Sequence, residues 1–129
     1  MPTPAVRFRV DFGRHEAVGP GKIALLEHIA ASGSLSQAAR ELKMSYRRAW
    51  QLLDSLNASF SERVARTSKG GRGGGGAALT PLGVELVSRY RAFDRDVQKR
   101  AARCFGELAA KTRAGIAPGA APVRRLSGR

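Results

Sequence analysis

Acidic residues are scarce in this sequence. The 129 residues include 10 Asp and Glu against 23 Lys and Arg, a formal net charge of +13 at pH 7. A surplus of that size on a small body calls for a polyanionic partner, with nucleic acid the first candidate and an anionic membrane surface the second. Cysteine occurs once, as Cys104, which excludes an internal disulfide framework and a cysteine-cluster metal site. The two histidines, His15 and His28, are too few to build a metal site instead. No metal and no cofactor is expected. No apolar run approaches the roughly 20 residues of a membrane span. The opening stretch MPTPAVRFRVDFGR places charges where a signal peptide has its apolar core. These absences point to a cytoplasmic protein with no membrane association. Hydrophobic residues make up 43%, enough for a real core, and the length suits one compact domain with tails.

Along the chain, Val6, Phe8, Val10 and Phe12 alternate with Arg7, Arg9 and Asp11, the period of a half-buried strand over residues 5–12. Residues 13–21, with Gly13, Gly19, Pro20 and Gly21, read as a loop. Ile23, Leu25, Leu26, Ile29 and Ala30 recur at helical spacing over residues 22–31, and Gly33 stops that helix. Ser34 to Gln37 fits a capping box, in which Ser34 takes the Gln37 amide and the Gln37 side chain reaches back. The helix it opens, residues 35–42, is short and buries Ala38, Ala39 and Leu42. After a tight connection at Lys43-Met44, Ser45 is a good N-cap for a third helix from Tyr46 to about Ser59. Its apolar face is Ala49, Leu52, Leu53, Leu56 and Phe60. Its outer face is Arg47, Arg48, Gln51, Asp54 and Ser55.

Residues 63–67 suit a short strand, and residues 77–79 can return beside it. Between them SKGGRGGGG, residues 68–76, has six glycines in nine positions and reads as the long loop of a hairpin. Thr80-Pro81 then reads as N-cap and first turn of a new helix. Leu82, Leu86, Tyr90, Phe93, Val97, Ala101, Cys104 and Leu108 repeat at steps of three and four, close to a heptad seam. Residues 111–129 hold five basic residues and no acid, and read as a disordered basic tail.

Strand, helix, helix, short turn, helix, hairpin, helix is the order of a winged helix-turn-helix. The fold expected is mainly α with a small β wing, followed by a long C-terminal dimerisation helix. Residues 1–80 form the DNA-binding domain, 81–110 the long helix and 111–129 the tail. In such a fold the third helix lies in the major groove with its first turns on base edges. Those turns carry Ser45, Tyr46, Arg47, Arg48 and Gln51; Arg suits guanine and Gln suits adenine. Ser34 and Ser36 suit phosphate contact. The plainer alternative is a charged face that is merely solvated. Against it, Arg47 and Arg48 oppose the helix dipole at the helix start, a local cost that nearby phosphate removes. Lys69 and Arg72 would bring charge to a wing whose glycines allow the backbone close to phosphate or into the minor groove. The glycine run also satisfies G-x-G-x-x-G. That match is empty without a βαβ unit around it, and the run ends in Ala77-Ala78 rather than Lys-Ser/Thr. Trp50, the sole tryptophan, is expected at the core or its edge, His28 as a packed histidine, and Cys104 as a small hydrophobe on the seam. No catalytic arrangement can be assembled, so an enzyme is not expected.

The stretch GSLSQAARELKMSYRRAWQLLDSLN, then a short strand, then SKGGRGGGGAALTPLG and a long helix, resembles the N-terminal DNA-binding domain of the ModE family. These are molybdate-responsive bacterial regulators with a helix-turn-helix related to the LysR type. The resemblance runs from about Val6 to Asp94. Its most specific parts are Ser45-Tyr46-x-x-Ala49-Trp50 and the glycine wing ending in Leu79-Thr80. It implies a homodimer on a palindromic promoter site in double-stranded DNA. The seam residues Phe93, Val97, Ala101, Cys104 and Leu108 are too far along the helix for a small domain to cover and are the expected dimer surface; a helix folded back on its own domain is the alternative. Regulators of this family also carry C-terminal molybdate-binding β-barrels. No barrel follows the long helix in this sequence, so direct molybdate binding is not expected. The alternative reading is a nonspecific, nucleoid-associated DNA binder driven by total charge. A nucleotide-using enzyme is a third reading and rests on the glycine run alone.

Overall fold

The computed structural model describes residues 3–13, 17–68 and 75–113. His15, Lys69, Arg72 and the tail from residue 114 lie outside the described residues. The chain divides into two compact units. One is Arg7–Ala92; the other joins Met1–Val6 to Phe93–Arg129.

The first unit opens with β1 (Val10–Asp11) and β2 (Ala17–Val18), antiparallel neighbours with Val10 opposite Val18. The strand expected over residues 5–12 is thus only two residues long. Alternation itself holds, since Phe8 and Val10 are half-buried while Arg7, Arg9 and Asp11 are exposed. Phe12 does not follow the pattern: it is exposed and meets Phe60 edge-on at 5.2 Å. The stretch read as loop contains β2, a strand too short to show a period.

Helix α1 (Pro20–Ser32) starts two residues earlier than expected, because Pro20 fills its first position. Ile23, Leu25, Leu26 and Ile29 are all fully buried, each worth about 1.5–3 kcal/mol. The ammonium of Lys22 donates to the Ala17 carbonyl at 2.9 Å and to Ser55 Oγ at 3.0 Å, tying β2 and α1 to the third helix. Gly33 ends α1 at φ 72°, with its N–H on the Ile29 carbonyl. That left-handed cap is why glycine stands there.

Helix α2 (Leu35–Glu41) is capped by Ser34, whose Oγ accepts the Gln37 amide at 3.0 Å. Only this half of the capping box forms. The Gln37 side chain turns forward instead, donating to Glu41 and accepting from Arg40. Lys43 turns the chain at φ 59°, and the Met44 amide donates to the Ala39 carbonyl. Helix α3 (Tyr46–Ser59) has Ser45 as N-cap, accepting the Arg48 amide at 3.0 Å. Ala49, Leu53 and Leu56 are buried; Leu52 and Phe60 pack at the edge of the same cluster.

The hairpin follows as β3 (Ala65–Ser68) and β4 (Gly76–Leu79), antiparallel with Ala65 opposite Leu79 and Ser68 opposite Gly76. Its base is fastened at three points. Asn57 of α3 accepts the amides of Val64 and Ala65 at its Oδ1 and donates to the Ala65 carbonyl. The Ala77 amide donates to the Gly33 carbonyl at 2.9 Å. Thr80 donates its hydroxyl to the Arg63 carbonyl at 2.6 Å and accepts the Gly83 amide, so it is the N-cap expected.

Helix α4 runs Pro81–Ala110. Its first part buries Leu86 and Tyr90 in the core of the first unit. Tyr90 stacks on Phe8 at 4.8 Å and donates its hydroxyl to the Phe8 carbonyl. Arg91 grips Glu27 of α1 with two bonds of 2.7 Å. In the second unit, Gln98 on the later part of α4 binds both backbone groups of Val6. It accepts from the amide at 2.9 Å and donates to the carbonyl at 2.8 Å. Here the ladder partner that a longer opening strand would need is replaced by a side chain.

Candidate nucleic-acid interface

The three elements of the expected interface come together in the first unit. The start of α2, the start of α3 and the hairpin strands enclose an open cleft of about 490 Å³. Ser34, Leu35 and Ser36 form one wall, Tyr46 and Trp50 a second, and Thr67, Ser68, Gly75 and Gly76 the third. Ser34 Oγ is engaged by the Gln37 amide and lies 3.4 Å from Ser36 Oγ; Ser36 is exposed. Ser45 is committed to capping α3.

Arg47, Arg48 and Gln51 are all exposed, on the side of α3 away from buried Ala49, Leu53 and Leu56. Neither arginine is paired with a carboxylate among the described residues. None of the four helices carries an acidic residue in its first turn. No helix start therefore has its partial positive charge offset by an acid of its own first turn. Arg66 on β3 adds an exposed cation to the hairpin.

Trp50 is a correction. It was expected at the core or its edge, and it is 48% exposed, beside Tyr46 at 55%. The helical period explains why: at about 100° per residue, position 50 lies roughly 90° from the centre of the 49, 53, 56 stripe, with position 46 on the same flank about 40° nearer to it. That projection was available in the sequence. His28 is half-buried and bonds Glu41 at 2.7 Å, joining α1 to α2. The Glu41 carboxyl is held below its ordinary value, first by the Gln37 hydrogen bond and then by that from His28. Asn57, which positions the hairpin, had no local signal.

The strands flanking the glycine run are antiparallel partners, so the run does not sit in a βαβ unit. Among the described residues no group of three or more His, Cys, Asp or Glu could hold a metal ion. Among them, too, no helix is long and apolar enough to cross a membrane. In the second unit, Phe93 and Leu108 are 51% and 61% exposed, Cys104 is exposed and Val97 half-buried, while Ala101 is already 5% exposed. Phe105 and Leu108 line a shallow apolar groove with Pro4 and Ala5.

Comparison with known proteins agrees with this geometry. Residues 21–84 match the model of the bacterial regulatory helix-turn-helix protein, lysR family. The chain is 40% identical over 82 residues to the molybdenum-pterin-binding protein MopB of Rhodobacter capsulatus, covering 64% of this chain and 30% of that protein. It is 40% identical over 80 residues to the DNA-binding transcriptional dual regulator ModE of Escherichia coli K12, with 62% and 30% covered. The molybdenum transport protein ModE of Azotobacter vinelandii is 36% identical over 92 residues, with 71% and 34% covered. The matched part spans about a third of the length of these relatives. Residues 21–84 are thus a helix-turn-helix domain of the LysR type, similar in sequence to the ModE-named relatives.

Proposed function

We propose that the chain is a DNA-binding transcription regulator, without catalytic activity, that recognises a palindromic promoter site as a homodimer in the cytoplasm, on the nucleoid. The observation that carries this reading is the start of α3. It presents Arg47, Arg48 and Gln51 to solvent without carboxylate partners among the described residues, in a LysR-type helix-turn-helix. Arg47, Arg48 and Gln51 read base edges, with Tyr46 beside them. Ser34, Ser36 and the amides near them meet phosphate, and Ser45 holds the helix start in place. Arg66, with Lys69 and Arg72 from the segment between β3 and β4, supplies charge to the wing. The basic residues after Lys111 add sequence-independent attraction. No molybdate site is assigned to these residues. Phe93, Val97, Cys104 and Leu108 of α4 meet a second copy, which sets two recognition helices about one DNA turn apart, ~34 Å.

The test is selection of binding sites from a random duplex library, joined to sedimentation of the free protein. A shared palindrome is expected, with a dimer in solution. Arg47→Ala or Arg48→Ala should cost roughly 1–3 kcal/mol on that site and relax one position. Phe93→Asp should give folded monomers with weak half-site binding. Equal affinity for selected and scrambled DNA would instead show the nonspecific nucleoid-type binder.

A further inference from the structure

Tyr46 and Trp50 place two large rings in contact with solvent, on an exposed face that otherwise carries Arg47, Arg48, Gln51 and Asp54. Both rings line the same cleft, and neither has a hydrogen-bond or ring partner among the described residues. Exposed aromatic surface beside a charged face is a mark of a binding surface, because water solvates it poorly. We propose that Trp50, with Tyr46 beside it, reads thymine through its methyl group in the major groove. This rests on the DNA-binding reading above and adds a second kind of recognition to it.

The geometry selects the methyl over other parts of DNA. Arg47 and Gln51 occupy the middle of the exposed face of α3, where hydrogen-bonding base edges are read. Trp50 lies on the flank toward the start of α2, in the same cleft as Ser34 and Ser36. A group between the helix axis and a phosphate contact meets the outer edge of the bases on that strand. The pyrimidine 5-position is at that edge, and in thymine it carries the one apolar group that the major groove displays. Bases in B-form DNA stay stacked, so a ring carried by α3 meets base edges rather than base faces. An apolar flank beside a polar centre lets one helix distinguish thymine from cytosine without spending a hydrogen bond on it.

The experiment replaces thymine by deoxyuridine, one position at a time, in the site that the wild-type protein selects. This removes the methyl and keeps every hydrogen-bonding group of the base pair. One or two positions in each half-site should lose roughly three- to fivefold in affinity, the scale of one buried methyl. Trp50→Ala should bind about tenfold more weakly to the thymine site and should no longer distinguish uracil from thymine there. Trp50→Phe, which keeps an apolar ring, should keep most of the discrimination. Indifference of the wild type to uracil at every position would overturn the proposal, as would an unchanged uracil penalty in Trp50→Ala. The uracil measurement on wild type stands even if a variant folds poorly. A wild type that selects no sequence at all would overturn both this proposal and the regulator reading. A selected palindrome that tolerates uracil overturns this one alone.

Discussion

At the scale of single residues, the wing depends on a side chain that is not part of it. Asn57 stands on α3, and its amide serves the backbone of Val64 and Ala65 in both directions. Asn57→Ala leaves two N–H groups and a carbonyl without this partner at the half-buried root of the hairpin. The expected loss is roughly 1–3 kcal/mol, seen as a lower urea midpoint with an unchanged slope. The N-caps Ser34, Ser45 and Thr80 were legible in the sequence because each bonds an amide three residues ahead. Asn57 reaches seven and eight residues, and Gln98 reaches ninety-two, so no local pattern marks them. Gln37 shows the limit of motif reading: the capping-box spacing is present, but Glu41 and Arg40 offer its amide better partners. Trp50 is a different case. The helical projection that exposes it was readable, and the hydrophobic character of the residue argued the other way.

At the scale of elements, α4 approaches the residue just before β3 more closely than a side chain allows. A Cβ built on Gly83 would lie 2.0 Å from the Val64 carbonyl oxygen, and the atom in the way is backbone. Gly83→Ala must therefore push the start of α4 off the hairpin root. It should destabilise by roughly 1–3 kcal/mol, or more if the shift cannot be absorbed. Thermal unfolding followed by circular dichroism measures this, and Gly106→Ala is the control, since a Cβ there meets nothing. The three helices and the hairpin were legible because their periods run over several residues with a cap or a glycine at the ends. Strand β1 falls within the strand expected over residues 5–12, but its partner β2 was not legible, being two residues long with a pairing that depends on tertiary placement. The seam of α4 was legible as a stripe. Where the core stops covering it was not, since Leu86 and Tyr90 are buried while Phe93, three residues on, is exposed.

At the scale of the whole first unit, its first and last helices are joined by charge. Glu27 on α1 and Arg91 on α4 are 64 residues apart and form a two-bond pair. The Arg91 hydrogen bond is the main reason that the Glu27 carboxyl titrates below its ordinary value of 4.5. A carboxylate that is more acidic folded than unfolded binds fewer protons in the native state. Its contribution is complete above the unfolded value and fades as pH falls from about 4.5 through the lower folded value. Acid unfolding of Glu27→Gln should therefore depend less steeply on pH below 4.5 than that of the wild type, with the two curves parallel near neutrality. Gly33 has a comparable reach by another route. It ends α1, its carbonyl receives the Ala77 amide of β4, and the next residue caps α2. Wing and second helix thus share one pivot, as two levers share a spindle. A tilt of the hairpin therefore loads the peptide from which α2 starts, and reaches Ser34 and Ser36 by a path separate from the one through Asn57 and α3.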